Sequence, residues 1–449
     1  MDANTPSSLI EIESIERETI RRITWRLMPL LVLSYFCSYL DRANVGIAGT
    51  TMVSDLHFSY AVFGFGAGVF NFGYFLGEIP SNLILNKIGA RVWIARILMT
   101  WGIIAAFTAF VWNDWSFYCI RILLGLAEAG LYPGIVLYLT WWFPSYYRTR
   151  MMGIILSAAV ISMMVGPPIG GLLLYMEGLA GLHGWQWLFI IETLPSIVTC
   201  FIIWKLLTDR PSEADWLTPQ QRTWLAERLD SERAQREAIH KFTLAEAFYS
   251  PKVCLLTVAY IFHTGSQNIL NVFLPLIVKG LGVPTGMIGL VSGVPFVFAL
   301  VAMNYWGWRS DVTGERTWHV VGAWLVCAVG MGACILIGGG HPVLLMIAMC
   351  VAAMGTWAAP VAFWALPSAL LTGTAAAGGI ALINSVGCLG SWFGPWAYGL
   401  VKDATGSDNV ALLCLASWPI VSAILVILAG HDRRLERIPP RRDRSKQMG

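Results

Sequence analysis

The stretch Asn86-Lys87-Ile88-Gly89-Ala90-Arg91-Val92-Trp93 returns 225 residues later (86 to 311) as Asp311-Val312-Thr313-Gly314-Glu315-Arg316-Thr317-Trp318. In a chain of 449 residues that offset is half the length. Gly166-Pro167 and Gly394-Pro395 repeat at nearly the same spacing, 228 (166 to 394). Self-similarity at one fixed offset marks a duplicated architecture, and each half then has to be read for the same succession of elements.

Those elements are apolar runs of about 20 residues, the length that crosses about 30 Å of hydrocarbon. Twelve occur, near 26–50, 58–85, 92–112, 115–142, 151–176, 185–206, 252–278, 284–306, 318–339, 343–370, 374–401 and 409–430. With 56% apolar and 13% charged residues, against about 25% charged in soluble domains, the composition agrees. The mean hydropathy is +0.63. The expected fold class is an all-α membrane protein of twelve transmembrane helices in two pseudo-symmetric six-helix bundles. The first run follows a charged leader with Glu11, Glu13, Glu16 and Glu18 and lacks a small-residue cleavage site, so it is expected to remain as span 1. The domains read as residues 1–206, a cytoplasmic segment 207–250, and residues 251–449 with a basic tail. In the segment, Thr218-Pro219-Gln220-Gln221 has the form of a capping box that starts a helix.

Basic residues report orientation in such a chain. Arg17, Arg21, Arg22, Lys87, Arg91, Arg148, Arg150, the 205–252 segment, Arg309, Arg316 and the tail from Arg433 share one side; the opposite loops hold Lys279 and Lys402. Both termini are therefore expected on the cytoplasmic face of the cell inner membrane. The basic tail reads as an orientation signal, with no nucleic-acid partner. The nine cysteines contain no C-x-x-C pair and read as small buried residues. Gly64-x-Gly66-x-Gly68 lies inside an apolar span with no preceding strand, so it is no nucleotide loop. With no Walker motif, H-E-x-x-H or G-x-S-x-G, an enzyme and an ATP-driven pump are both excluded, and neither cofactor nor metal is expected.

The chain resembles the major facilitator superfamily, whose signature G-x-x-x-D-R/K-x-G-x-R/K follows span 8 as Gly307, Asp311, Gly314 and Arg316. The first copy departs from it: Asn82 and Asn86 replace the Gly and the Asp, which would weaken the charged latch there. The resemblance sharpens to the anion:cation symporter family at Tyr39-Leu40-Asp41-Arg42-Ala43-Asn44, Glu78-Ile79-Pro80-Ser81-Asn82 and Arg121-x3-Gly125-x2-Glu128-Ala129-Gly130-x2-Pro133-Gly134. Trp142-Phe143-Pro144, Gly184-Trp185-Gln186-Trp187-Leu188-Phe189 and Asn384-Ser385-x-Gly387 extend it over most of the chain. It implies a secondary transporter working by alternating access, with proton-coupled symport of a small organic carboxylate such as tartrate, a sugar acid or an aromatic acid. The implied partners are that organic anion, protons and the lipid bilayer, for a chain acting as a monomer. Sodium remains open as the coupling cation, and a transporter-like nutrient sensor is a further alternative.

Ionisable side chains inside hydrocarbon are expensive and serve function, and the residues themselves point to an anion carrier. Asp41, Arg42, Glu78, Arg121 and Glu128 stand out. Arg121 and Glu128 are two helical turns apart on one face, with Gly125 between them expected to open space. Asp41 and Arg42, being adjacent, diverge by about 100° and cannot address one partner. A guanidinium stays charged when buried and matches a carboxylate with its planar fork, so Arg42 and Arg121 are substrate-binding candidates and Asp41 and Glu128 proton-coupling candidates. Locking the helices as ion pairs is the bland alternative. Tyr39 and Tyr74 stand beside the charges. The second half offers neutral groups: Gln267, Asn268 and Asn271 on span 7, Asn384 and Ser385 on span 11, and Trp357 with Trp364 as aromatic flanks. His263 reads as a hydrogen-bonded structural histidine. Glu78, Lys87, Arg91, Asp311 and Arg316 are gating candidates. Trp112, Trp115, Trp141 and Trp142 are expected at the membrane interfaces.

Overall fold

A computed structural model describes residues 6–238, 250–337, 340–364, 366–367 and 373–430. The basic tail and residues 239–249 of the expected central segment lie outside the described residues. Most of the described residues are helical, and eleven helices are long and apolar enough to cross a membrane. The expected span at 374–401 coincides with a further helix, Gly373–Thr405, of 33 residues, or about 50 Å at 1.5 Å per residue. The chain divides into two compact units.

Unit 1 comprises residues 1–56, 69–240 and 285–289. Its helices are α1 (Pro6–Asp55), α2 (Tyr60–Ile88) from residue 69 on, α3 (Ala90–Phe107), α4 (Asp114–Glu128), α5 (Leu131–Trp142), α6 (Ser145–Leu173), α7 (Gly184–Glu192), α8 (Leu194–Leu206) and α9 (Pro219–Ala238). Two expected spans are interrupted. Span 4 breaks after Glu128, where Ala129 is extended and Gly130 takes φ +88°, a conformation open to glycine at no steric cost. Span 6 breaks at Thr193: Pro195 has no N–H to give the preceding turn, and the Ser196 and Ile197 amides both bond the Thr193 carbonyl instead. Asn113 and Ser116 cap α4 reciprocally. The capping box read at Thr218 is present, with Gln221 N to Thr218 Oγ1 at 3.3 Å and Thr218 N to Gln221 Oε1 at 3.2 Å. α9 is tied to the start of α6 by Arg148 and Glu232 at 2.9 Å.

Trp142 is not interfacial as expected. It is fully buried, and stacks on Trp216 at 5.4 Å, because the segment after α8 folds back over the end of α5. Trp112 and Trp115 are exposed, as an interfacial position requires.

Unit 2 comprises residues 57–68, 241–284 and 290–449. It contains the start of α2 with α10 (Pro251–Gly280), α11 (Thr285–Thr313) from residue 290 on, α12 (Thr317–Ile337), α13 (Pro342–Phe363), α14 (Gly373–Thr405) and α15 (Asp408–Ala429). Its core gathers Val253, Leu256, Val320, Trp324, Phe363, Ile383 and Val426. A methyl group at Gly390 would overlap the Ile261 carbonyl, so glycine sets the close approach of α10 and α14. At one end of the unit, Asp403 accepts from the backbone N–H of Tyr60 and Ala61 (3.0 and 2.7 Å), and Lys402 pairs with Asp408 at 2.7 Å.

Candidate functional site

The charged groups read from the sequence meet inside unit 1. Ser38 and Arg42 are one helical turn apart on α1, so both reach the same partner. That partner is Glu128, the last residue of α4 before the break at Gly130. Its Oε1 accepts from Ser38 Oγ at 2.6 Å, Arg42 Nη2 at 2.6 Å and Arg42 Nε at 3.1 Å. The Glu128 side chain is 1% exposed, that of Arg42 26%. A carboxylate so buried is held by a guanidinium that remains open on one side. Around that guanidinium stand the rings of Tyr39, Phe70 and Tyr74, with centroids at 5.1, 5.1 and 5.4 Å. Their π faces favour a cation there.

Asp41 points elsewhere, as the 100° divergence requires. It is 3% exposed, its Oδ2 has no hydrogen-bond partner, and Arg121 of α4 is the main cation within its electrostatic reach. Arg121 is equally buried and lies against Phe70 at 5.0 Å. Arg42 thus bonds Glu128 directly, while Arg121 lies within electrostatic reach of both Asp41 and Glu128; the first arginine is partly accessible and the second enclosed. Gly125 does not open space between the charges as expected. A methyl group there would overlap the Phe70 carbonyl oxygen, and one at Gly73 the Ile122 carbonyl, so this pair of glycines brings the α2 and α4 backbones together and fills the gap.

Glu78 is buried towards the other end of α2, and its backbone carbonyl accepts from Asn82 Nδ2 at 3.0 Å. Lys87 is exposed. Arg91 stands 3.9 Å from Asp209, whose Oδ1 also accepts the Arg91 backbone N–H at 2.7 Å. Asp209 thus supplies, from beyond α8, a carboxylate in the loop whose own motif position holds Asn86. In the second copy Arg316 Nη1 donates to Ser310 Oγ at 3.1 Å; the Asp311 side chain lies outside the described residues.

Within unit 2 the candidates are neutral and largely engaged in packing. Asn268 Nδ2 donates to the Ser391 carbonyl at 2.6 Å, clamping α10 to α14. Gln267, Asn271, Asn384 and Ser385 are partly buried on those two helices. Trp357 is buried against Phe296, and Trp364 packs on Tyr260. His263 accepts from Trp324 Nε1 at 3.0 Å inside the core, the structural part read for it.

Sequence reasoning missed Ser38, Asn44, Phe70 and Glu192. Glu192 is a carboxylate within an apolar span, the signal that singled out Asp41, and it is 4% exposed.

A duplicated membrane protein, helical among the described residues, with a buried ionic cluster in one half has the build of a secondary transporter. The major facilitator superfamily model matches residues 31–395, and the chain belongs to that superfamily, as a transporter. It is 44% identical, over 93% of its length and 92% of the relative's, to a protein of Agrobacterium vitis whose name assigns it to tartrate transport. It is 38% identical to a quinolone resistance transporter of Acinetobacter baumannii, covering 92% of this chain and 95% of that one. Among solved structures it is similar to a bacterial homologue of the human lysosomal transporter Spinster, with a TM-score of 0.74 at 15% identity over 92% of this chain and 98% of that one. This last likeness speaks for the fold.

Proposed function

We propose that the protein is a proton-coupled symporter of a small organic carboxylate of the tartrate, sugar-acid or aromatic-acid class, residing in the inner membrane with both termini cytoplasmic and acting as a monomer. The observation that carries this reading is the Arg42–Glu128 pair, in which the accessible member is the cation. A substrate carboxylate and Glu128 compete for one guanidinium. When Glu128 takes a proton it releases Arg42, whose planar fork then receives the incoming anion through charge-assisted hydrogen bonds. When the anion leaves, Glu128 recovers its partner and gives up the proton. Asp41 and Arg121 form the second acid and base of the cluster. Tyr39, Phe70 and Tyr74 keep Arg42 oriented, and the A. vitis relative supports the carboxylate class.

The test is uptake into membrane vesicles that contain the protein, with labelled tartrate, galactarate and phthalate as probes. An inward proton gradient should drive accumulation of at least one, and a protonophore should abolish it. Accumulation that needs sodium and ignores the proton gradient would overturn the coupling. Extrusion of a cationic drug with no carboxylate uptake would overturn the substrate class.

A further inference from the structure

Unit 1 buries an acid that this mechanism does not use. Glu192 closes α7 at the backbone break, and neither of its carboxyl oxygens has a hydrogen-bond partner among the described residues. Gly170 of α6 abuts it, with Oε1 3.5 Å from where a methyl group would stand. Facing it from α1 are Asn44 and, one turn earlier, Asp41. Asn44 is 1% exposed, and its Oδ1 and Nδ2 are both without hydrogen-bond partners. Packed against α7 are also α3, α6 and α8, and Asp41 is the charged group that acts on Glu192.

Counting charges decides the state of this acid. The cluster holds two guanidiniums, Arg42 and Arg121, for three carboxyls, Asp41, Glu128 and Glu192. Arg42 is bonded to Glu128, and Arg121 serves Asp41 and Glu128. An ionised Glu192 would therefore sit uncompensated beside another acid, with no donor closed onto either oxygen, a far costlier burial than that of the neutral group. Between the two acids stands an amide that can accept at Oδ1 and donate from Nδ2.

We propose that Glu192 and Asp41 form a second proton-holding site of unit 1, bridged by Asn44, with Glu192 carrying the proton. The Glu192 O–H donates to Asn44 Oδ1, and the Asn44 N–H donates to Asp41 Oδ2. If the proton passes to Asp41, Glu192 becomes the anion and the amide has only to turn over to serve the exchanged roles. The Glu192 O–H bond breaks, an Asp41 O–H bond forms, and the negative charge moves from Asp41 to Glu192. That Glu192 is a neutral acid stands on its burial; that it takes part in coupling rests on the proton-coupled reading above.

Infrared spectroscopy of the purified full-length protein at neutral pH tests the first part. The carboxylic-acid C=O band should lose intensity in Glu192→Gln, with the melting temperature unchanged, because the amide has the shape of the neutral acid. A band that survives the substitution unaltered overturns the proposal. Should Glu192→Gln not fold, that too counts against a neutral acid, and Asn44→Leu gives an independent reading. Removing the bridge should shift the same band to higher frequency, and an unshifted band refutes the bridge. For the second part, gradient-driven uptake of labelled tartrate should become less steep in pH in Glu192→Gln while tartrate exchange persists. A lost band with an unaltered pH profile overturns the coupling role. Wild-type uptake that ignores pH sinks the proton-coupled reading itself, and the infrared result still decides the state of Glu192.

Discussion

The interiors of the two units are built from the same helical device and solve burial in opposite ways. Unit 1 encloses Asp41, Arg121, Glu128 and Glu192 with Arg42 at the edge of the group. Unit 2 buries Thr257, His263, Thr264, Ser266, Thr356 and Ser422, all engaged through neutral hydrogen bonds. Thr264 Oγ1 reaches the Gly387 carbonyl, Ser422 Oγ the Ala259 carbonyl, and Ser266 Oγ the Phe262 carbonyl of its own helix. A backbone carbonyl is a fixed acceptor that no proton or substrate can displace. A carboxylate shared between a guanidinium and a hydroxyl has a partner to lose. Duplication supplied two scaffolds, and among the described residues the buried carboxylate–guanidinium cluster belongs to unit 1, whereas the buried charge of unit 2, Lys402, is paired with Asp408 at one end of that unit.

The largest expected effect comes from making unit 2 resemble unit 1. Thr356 is 1% exposed and bonds to the Ala352 carbonyl at 2.8 Å and to Cys327 Sγ at 3.0 Å. Thr356→Asp would place a carboxylate there beside an acceptor, with no arginine supplied, and monodisperse protein should be lost on size-exclusion chromatography. Asp41→Asn in unit 1 should, by contrast, fold and bind ligand while failing to accumulate it. If the two variants express equally well, the contrast between the interiors has no energetic content.

The next effect lies in the Arg42–Glu128 pair. Breaking a fully buried pair costs about 3–5 kcal/mol, and partial exposure of Arg42 should reduce that penalty for Glu128→Gln. Arg42→Ala removes charge-assisted hydrogen bonds to the carboxylate worth about 1.5–3 kcal/mol, so ligand binding should weaken by roughly 10- to 150-fold. Arg42→Lys should fall between, since a point ammonium keeps the charge without the fork. Calorimetric titration with a transported carboxylate reads both, and unchanged affinity in Arg42→Ala would move the anion site to Arg121.

Much of this was legible before any coordinates. Twelve apolar runs, the half-length repeat and the Thr218–Gln221 capping box follow from residue type and spacing. So does the divergence of Asp41 and Arg42, because the angle between neighbours on a helix is fixed. The partners were not legible, since pairing depends on which helices adjoin. Seven-residue spacing placed Arg121 and Glu128 on one face but could not say that Arg42, from another helix, takes Glu128 as its counter-ion. Gly125 was read as space when it is contact, since a missing side chain is filled by whatever backbone approaches. Glu192 carried the same signal as Asp41, an acid inside an apolar run, but it lies just beyond the Gly184–Phe189 motif and outside the motifs that drew attention to the other charges. The breaks after Glu128 and at Thr193 carry Gly130 and Pro195 as signals, but a run of about 20 apolar residues reads as one helix whether or not it is interrupted.

A smaller effect tests whether the two units are closed by the same means. Gly125→Ala in unit 1 and Gly390→Ala in unit 2 each drive a methyl group into a carbonyl of the neighbouring helix. Overpacking of this kind costs about 1–3 kcal/mol, and both variants should melt lower by similar amounts. Transport should suffer more in Gly125→Ala, because the displaced segment carries Phe70 and Tyr74, which flank Arg42. Equal transport losses would show that the glycine contact positions nothing specific to the charged cluster.

The smallest expected effect separates the two repeated loops. In the second copy the helix start is capped from within the repeat, by Glu315 accepting from the Trp318 and His319 amides at 2.7 and 3.2 Å. In the first, Asp209 does this for Arg91 from outside the repeat. Losing a carboxylate cap costs about 1 kcal/mol, so Asp209→Asn and Glu315→Gln should each lower the melting temperature slightly. The informative variant adds Asn86→Asp, which restores the superfamily signature, to Asp209→Asn. Residue 86 lies in the last turn of α2, where the helix dipole presents its negative end and disfavours a carboxylate, whereas Asp209 sits at the positive start of α3. The double variant should therefore remain as unstable as Asp209→Asn alone. Full recovery would mean that the motif position and Asp209 are interchangeable sources of one charge, and that the asymmetry of the two loops is an accident of sequence with no bearing on how each helix begins.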